Sequence, residues 1–199
     1  MNIIWITNIV LPEANLLLNE PINPYGGWLV NASKELAAIN DVNLFVASPK
    51  SGIDEPKILK GKSIYYHIFP WKNEKSIKDL RCLSGLKKMI MEINPDIVHI
   101  FGTELSHSLA IVRICNELSI RIVVSIQGLV SICAKHYMAN LPYQIQKRYT
   151  IRDFLKWDNL INQQKKFTLK GQHEIEIIKS SNNIIGRTTW DKACVDRKS

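Results

Sequence analysis

The glycine pair in Tyr25-Gly26-Gly27-Trp28 is the first group in the sequence whose residue types suit ligand binding. The pair closes a long loop, Asn8 to Pro24, which follows the first apolar run, and it opens the first helix-patterned stretch. Two glycines allow close backbone approach, and free amides at a helix start favour an anion. We expect Gly26 and Gly27 to face a diphosphate, with Trp28 in the same cleft. The alternative is plain loop closure, since the Gly-x-Gly-x-x-Gly pattern is incomplete.

A second group of candidate residues follows the apolar run Ile97 to Phe101. Gly102 ends that predicted strand, Thr103 is expected to cap the next helix, and Glu104 lies at the helix start. Ligands of an open parallel sheet bind beyond the carboxyl ends of its strands, so all three are candidate cleft residues. His99 is a further candidate, although a lone strand histidine is more often a hydrogen-bonded core residue.

Two more predicted strand ends carry groups that suit a sugar or a phosphate. Gln127 and Gly128 follow the fourth apolar run, and the Gln127 amide can both donate and accept hydrogen bonds toward a sugar hydroxyl. Gln127 is therefore the one catalytic candidate, unless its side chain caps loop backbone instead. Arg187 and Thr188 follow the fifth run, where the planar guanidinium suits a phosphate or a carboxylate across the domain.

Other chemistries find little support in the sequence. No Ser or Cys lies in an elbow motif with a matching His, which disfavours a hydrolase. The four cysteines lack zinc spacing, and no metal site is expected. A nicotinamide enzyme would need an acidic residue where Ser48 and Pro49 end the second run.

Charge and the N-terminal sequence indicate the partners and the compartment. Lys and Arg outnumber Asp and Glu by 26 to 18, giving +8, which favours phosphates or an anionic membrane surface. The basic residues are scattered rather than grouped in one stripe, so no nucleic acid is expected. The sequence begins without a basic leader or a long apolar segment, and we expect a cytoplasmic protein.

The order of apolar runs and helix-patterned stretches predicts the fold class. Short runs rich in Ile and Val alternate with helical spacing, which is typical of an α/β domain with a doubly wound, mainly parallel sheet. A hairpin is predicted around Gly61. We expect a long loop from Ile126 to Thr150 and then one helix from Ile151 to Ser180, with a break at Gly171.

Taken together, these segments resemble the N-terminal domain of the GT-B glycosyltransferases, specifically the retaining family four. The resemblance spans nearly the whole chain through residues 3–7, 26–29, 64–66, 95–102, 125–128 and 184–188. In that family the N-terminal domain mainly holds the acceptor, while the C-terminal domain binds the nucleotide sugar and carries a glutamate pair. Gly26 and Gly27 resemble the loop that approaches the donor phosphates, and His99 resembles the histidine of the Pro-Asp-x-x-His segment.

Two positions depart from the family pattern. Many members have a histidine where Phe101 stands here, and many have a cleft histidine where this chain has Gln127. A histidine-dependent step therefore does not carry over, although Gln127 remains able to bind the sugar by hydrogen bonds.

The resemblance implies the domain organisation and the reaction. No second doubly wound unit is present, so we expect residues 1–199 to be a single domain, without the C-terminal donor domain, cut from a longer protein. The full-length protein would be a glycosyltransferase of the hexosyltransferase type, and this part alone would be inactive. It would move a sugar from a nucleoside-diphosphate sugar, without a cofactor, to a glycan or lipid-linked acceptor in cell-surface polysaccharide biosynthesis. The alternative is a non-catalytic nucleotide- or carbohydrate-binding module.

The segment from Lys135 to Arg152 mixes aromatic and basic residues and is the candidate acceptor surface. Such a composition suits a lipid-diphosphate carrier and peripheral contact with the inner face of a membrane. Its alternative is an ordinary solvated loop.

Overall fold

The chain folds around one mainly parallel β-sheet. The computed structural model describes residues 1–22, 24–156 and 159–196. The strands of this part are β1 Asn2–Ile6, β2 Asn43–Lys50, β3 Lys57–Lys60, β4 Ile64–Pro70, β5 Ile97–Phe101, β6 Arg121–Ser125 and β7 Asn183–Ile185. They form a seven-stranded sheet in the order β3-β4-β2-β1-β5-β6-β7. All neighbours are parallel except β3 and β4, the predicted hairpin at the sheet edge.

Helices cover both faces of this sheet. They are α1 Pro12–Leu17, α2 Gly27–Ala37, α3 Leu80–Ile93, α4 Ser106–Glu117, α5 Val130–His136, α6 Tyr143–Gln146, α7 Ile151–Lys156, α8 Leu160–Ser180 and α9 Thr189–Asp196, and a short 3₁₀ helix covers Glu74–Lys78. Alternate residues of a strand point to opposite faces. Ile4 and Ile6 accordingly pack in one core cluster with α3 and α4, whereas Ile3 and Trp5 pack in a second with α1 and α2. The predicted doubly wound α/β fold is confirmed.

The expected loop from Asn8 to Pro24 contains helix α1. Pro12 begins this helix, where its missing N–H costs nothing because the first amides of a helix have no intrahelical partner. Glu13 then fixes α1 to the hairpin, since its carboxylate accepts hydrogen bonds from the Tyr66 hydroxyl at 2.7 Å and the Lys62 amide at 3.1 Å. A helix of only six residues is too short to show a clear 3.6-residue period.

The long loop predicted from Ile126 to Thr150 is also wrong in part, because it contains α5 and α6. The helix predicted from Ile151 to Ser180 is two helices: α8 starts anew at Leu160, where the Asn159 side chain accepts from the Asn162 amide at 2.8 Å. Residues 157 and 158, between α7 and α8, lie outside the described part of the chain.

Gly171 does not break α8, contrary to the sequence prediction. It lies in the middle of the helix and is buried against α5, where an added Cβ would come within 2.7 Å of the Ser131 Cα. Glycine is present because it permits a close helix crossing. In the described residues, no helix has the length and apolarity required to cross a membrane.

Candidate functional site

The carboxyl ends of β1, β5, β6 and β7 are neighbours along one edge of the sheet, and the predicted site residues lie along this edge. At its β1 end, Gly26 is the residue before α2 and has φ +80°. A Cβ at Gly26 would collide with the side chain of Ile9, so the position requires glycine for both conformation and space. Gly27, the first residue of α2, has open space around it. The first amides of α2 are therefore approachable by an anion.

Two buried hydroxyls hold the backbone of Ile9, whose side chain lies against Gly26. The hydroxyls of Thr7 and Ser48, which follow β1 and lie in β2, are 2.7 Å apart and lie 2.8 and 3.0 Å from the Ile9 carbonyl oxygen. Each hydroxyl has one proton, so one donates to the Ile9 carbonyl while the other donates either to its partner hydroxyl or to the same carbonyl. Because both side chains are buried in this network, Ser48 is engaged internally rather than presented to a ribose. In the sequence, Ser48 stands out only because an acidic residue is missing there, and no pattern indicates this network.

Aromatic contacts connect the glycine turn to β5. The Trp28 ring lies edge-on to Phe101, with centroids 5.4 Å apart, and Phe101 also contacts Trp5 at 4.9 Å. Trp28 itself is half exposed. The start of α2 is thereby placed next to the Gly102 turn, although the two lie far apart in the sequence.

His99 is a hydrogen-bonded residue of β5, which is the structural role that the sequence left open as the alternative to ligand contact. Its Nε2 lies 2.7 Å from the Ser125 hydroxyl, and its ring is 4.1 Å from that of Phe101. Burial lowers the pKa of His99 to about 4, so the imidazole is neutral near neutral pH. It can orient Ser125 but is a poor source of protons.

The turn after β5 differs in one respect from the prediction. Gly102 has φ +98°, and the Glu104 carboxylate accepts a hydrogen bond from the Thr103 amide at 3.0 Å. Thr103 does not cap α4, because the residue before that helix is Leu105. The Thr103 hydroxyl is instead fully buried, with no hydrogen-bond partner among the described residues.

The β6 turn lies directly beside Gly102. A Cβ at Gly102 would be 3.9 Å from the Gln127 Cγ, and the Gly102 amide donates to the Ser125 carbonyl at 3.0 Å. Gln127 is half-buried, and Gly128 after it is exposed. The two turns therefore form one continuous surface.

Arg187 joins the β7 turn to this surface. Its Nη2 donates to the main-chain carbonyl of Gln127 at 2.6 Å. The sequence suggested a phosphate or a carboxylate as the partner of Arg187, whereas the partner in the structure is this carbonyl. The side chain is exposed, and a guanidinium has five N–H donors, so others remain for an anion.

Thr188 caps α9 rather than standing free in the cleft. Its hydroxyl accepts from the Asp191 amide at 3.1 Å, while the Asp191 carboxylate accepts from the Thr188 and Arg187 amides at 2.9 and 2.8 Å. Burial opposes ionisation of this carboxyl, but the hydrogen bonds from Arg187 and Thr188 hold the pKa of Asp191 below its usual value. This reciprocal cap fixes the backbone of Arg187.

Glu174 of α8 fixes the other side of the Gln127 turn. It is fully buried, and its carboxylate accepts from the Val130 amide at 2.6 Å and from the Ser131 hydroxyl at 2.5 Å. These groups belong to the first turn of α5, whose preceding residue, Leu129, supplies no side-chain cap. The sequence gave no signal for this contact, since it joins residues 44 positions apart.

The assembled row runs from the α2 start through Trp28, Phe101, Gly102 and Gln127 to Arg187. It combines approachable amides, an aromatic wall, a side-chain amide and a cation. A cavity of about 550 Å³ adjoins its far end and is lined by Ile126, Arg187, Thr188 and residues of α9. Such a set can bind a phosphorylated sugar by hydrogen bonds and charge. No group of three or more His, Cys, Asp or Glu that could hold a metal is found in residues 1–22, 24–156 and 159–196.

Comparison with known proteins supports a common fold. The family model described as "Glycosyl transferase 4-like" matches residues 28–164, more than half of the chain. Sucrose-phosphate synthase from Thermosynechococcus elongatus is similar with a TM-score of 0.55 and 11% identity, over 98% of this chain and 44% of that one. A protein assigned as a UDP-N-acetylglucosamine 2-epimerase, from Listeria monocytogenes, has a TM-score of 0.54 and 11% identity, over 99% and 42%. No curated protein sequence matches. The chain thus spans less than half the length of these two structures.

Proposed function

The chain belongs to the glycosyl transferase 4-like family, and we propose that it is the acceptor-side domain of a retaining glycosyltransferase of the hexosyltransferase type. The family resemblance and the Rossmann-like fold of a GT-B N-terminal domain, both predicted from sequence, are confirmed. The full-length protein moves a sugar from a nucleoside-diphosphate sugar to a glycan or lipid-linked acceptor in cell-surface polysaccharide biosynthesis. A facing domain, outside this chain, supplies most of the contacts that bind the donor.

The continuous row of strand-end residues carries this proposal. In the reaction, an acceptor hydroxyl attacks the anomeric carbon, the bond from that carbon to the diphosphate breaks, and negative charge builds on the leaving diphosphate. The amides at the start of α2 stabilise this charge electrostatically, which needs no proton transfer. Open space at Gly27 leaves room for the phosphate oxygens.

The remaining residues of the row orient the sugar. Gln127 hydrogen-bonds a sugar hydroxyl through its side-chain amide, while Arg187 holds the Gln127 backbone and directs its other donors toward the diphosphate. Trp28 covers the α2 end of the cleft. His99 is neutral and acts through Ser125, so it takes no part as an acid. The donor is the only small molecule needed besides the acceptor.

We place the protein in the cytoplasm, in peripheral contact with the membrane where a lipid-linked acceptor would lie. The net charge of +8 favours that contact. The segment from Lys135 to Arg152 remains the proposed acceptor surface, and it carries exposed basic and aromatic side chains.

The test compares Gly27→Asp with Gly85→Asp in the natural full-length protein. Both glycines lie in helices with nothing near an added Cβ, so neither change should prevent folding. An aspartate in the first turn of α2 would stabilise the helix, because its negative charge interacts favourably with the helix dipole. It would also place a carboxylate where the diphosphate is proposed to lie. We expect Gly27→Asp to lower transfer from nucleoside-diphosphate sugars at least about a hundredfold, on the scale of one lost oxyanion donor. Gly85→Asp should leave transfer unchanged.

Two results would contradict the proposal. Unchanged transfer in Gly27→Asp would remove the glycine turn from the mechanism. Binding of a nucleotide sugar without any turnover by the full-length wild type would instead favour the non-catalytic binding module.

A further inference from the structure

Six large apolar side chains are exposed between positions 141 and 155, and we call these residues the 141–155 surface. They are Leu141, Tyr143, Ile145, Tyr149, Ile151 and Leu155. On α7, Ile151 and Leu155 are 83% and 74% exposed, and their spacing of four places them on one face of the helix. On α6, Tyr143 is 65% exposed. None of the six belongs to a core cluster of the described residues, and exposed apolar side chains at this density are typical of an interaction surface.

Basic side chains lie among these apolar residues. Lys147, Arg148 and Arg152 are exposed, and the Lys147 ammonium lies 4.3 Å from the centroid of the Tyr143 ring. Long basic side chains can keep their charge in water while their stems cover apolar neighbours. The surface thus presents positive charge and apolar area together.

The only acidic residue in this stretch of the sequence, Asp153, has a structural role. Its carboxylate accepts a hydrogen bond from the Thr150 amide at 2.9 Å, and the Thr150 hydroxyl accepts from the Asp153 amide at 3.2 Å. This reciprocal cap starts α7. The acid therefore shapes the surface and leaves its net charge positive.

We propose that the 141–155 surface docks this protein on an anionic phospholipid bilayer. Basic residues would bind the headgroups, and the aliphatic and tyrosine side chains would enter the headgroup boundary. The positive charge of this surface favours an acidic partner. The exposed aliphatic side chains of α7 favour a bilayer over a soluble polyanion, because a polyanion has no apolar region in which they can be buried. This extends the proposed function, because a lipid-linked acceptor lies at such an interface. Vesicle binding, however, requires neither donor nor acceptor, so either proposal can fail alone.

The experiment measures co-sedimentation of the natural full-length protein with vesicles. One set is phosphatidylcholine, and the other is an equimolar mixture of phosphatidylcholine and phosphatidylglycerol. Two double variants alter the surface: Ile151→Ser with Leu155→Ser, and Lys147→Gln with Arg148→Gln. Two matched controls make the same changes elsewhere: Ile58→Ser with Leu80→Ser, at side chains 65% and 80% exposed, and Lys57→Gln with Lys62→Gln. Circular dichroism and thermal unfolding confirm that each variant is folded.

We expect the wild type to bind the anionic vesicles and to be released by salt. Loss of two basic residues should weaken partitioning about thirtyfold. The two serine substitutions on α7 should weaken it at least about tenfold. The controls should bind like the wild type.

Three results would overturn the proposal. One is equal binding to neutral and anionic vesicles. Another is partitioning that the α7 serine variant leaves unchanged, which would indicate a soluble polyanion rather than a bilayer. The third is binding of heparin, as a soluble probe, without any binding of vesicles.

Discussion

The guanidinium of Arg187 donates a hydrogen bond of 2.6 Å to the main-chain carbonyl of Gln127, 60 residues earlier in the chain. The same turn is held from the other side by Glu174, through the Val130 amide. The backbone of Gln127, whose side-chain amide suits a sugar hydroxyl, is therefore held by one residue that follows β7 and by one residue of α8. Fixing that backbone before binding lowers the ordering cost that a ligand must overcome.

We predict that Arg187→Ala loosens this turn. Loss of one hydrogen bond from an exposed cation should lower the free energy of unfolding by about 1 kcal/mol. In the full-length protein, the proposed transfer should fall at least about tenfold if Arg187 makes both that hydrogen bond and the proposed phosphate contact. Urea unfolding and initial rates measure the two effects. Lys179→Ala, a change of an exposed cation on α8 away from the row, is the control, and an equal effect there would contradict the prediction.

Glu174→Ala should be far more damaging to the fold. The change leaves the buried Ser131 hydroxyl and the half-buried Val130 amide without their acceptor, and it removes the charge that stabilises the start of α5. We expect the free energy of unfolding to fall by about 3 kcal/mol. Glu176→Ala on the same helix breaks only the surface pair with Arg113 and should cost less than about 1 kcal/mol. Similar losses in both variants would contradict a structural role for Glu174.

Gly171→Ala and Gly85→Ala should have opposite effects. Both glycines lie inside helices, where alanine is ordinarily better by about 1 kcal/mol. At Gly85 nothing lies near the added methyl, so we expect a gain of that order. At Gly171 the methyl would meet the Ser131 backbone at 2.7 Å, and the strain should cost about 1 to 3 kcal/mol. Thermal or urea unfolding measures the stability of both variants. An increase in stability for Gly171→Ala would disprove the tight crossing of α5 and α8.

The same glycine shows where sequence reasoning reached its limit. Gly171 predicted a helix break, because propensity describes an isolated helix and contains no information about a neighbour. The closeness of Ser131 is a property of the tertiary fold. The strands were predictable for the opposite reason: burial on both faces leaves a continuous apolar run, as in Ile3 to Ile6, whatever packs against it.

The candidate site divides in the same way. Strand ends and glycines mark where a ligand can approach, and these signals placed Gly26, Gly102 and Gln127 along one edge. Thr7 and Glu174 gave no such signal, because each forms a hydrogen bond with a residue distant in the sequence, Ser48 for Thr7 and Ser131 for Glu174. The sequence thus indicated which residues lie along this edge, and their contact with a ligand stays a prediction, whereas the residues that hold them gave no signal.

Buried histidines make the stability of the protein depend on pH. Burial lowers the pKa of His99 to about 4 and that of His107 to about 3, whereas an unfolded histidine titrates near 6.5. As the pH falls below about 6.5, these histidines bind protons in the unfolded chain but not in the folded chain, so the free energy of unfolding decreases. The limiting slope is about 1.4 kcal/mol per pH unit for each such histidine. Urea unfolding between pH 7.5 and about pH 5.5 tests this, above the range where carboxyl groups titrate.

His107→Leu should reduce that slope, because it removes one of the histidines, His67, His99 and His107, whose pKa burial lowers. The ring packs against Phe69 and Trp71 and makes no hydrogen bond through Nε2 within the described residues, so a leucine sacrifices no partner there. His136→Gln, at an exposed histidine, controls for the loss of a histidine as such. If His107→Leu retains the full slope of the wild type, the acid sensitivity arises elsewhere in the chain, and the buried imidazole of α4 does not control it.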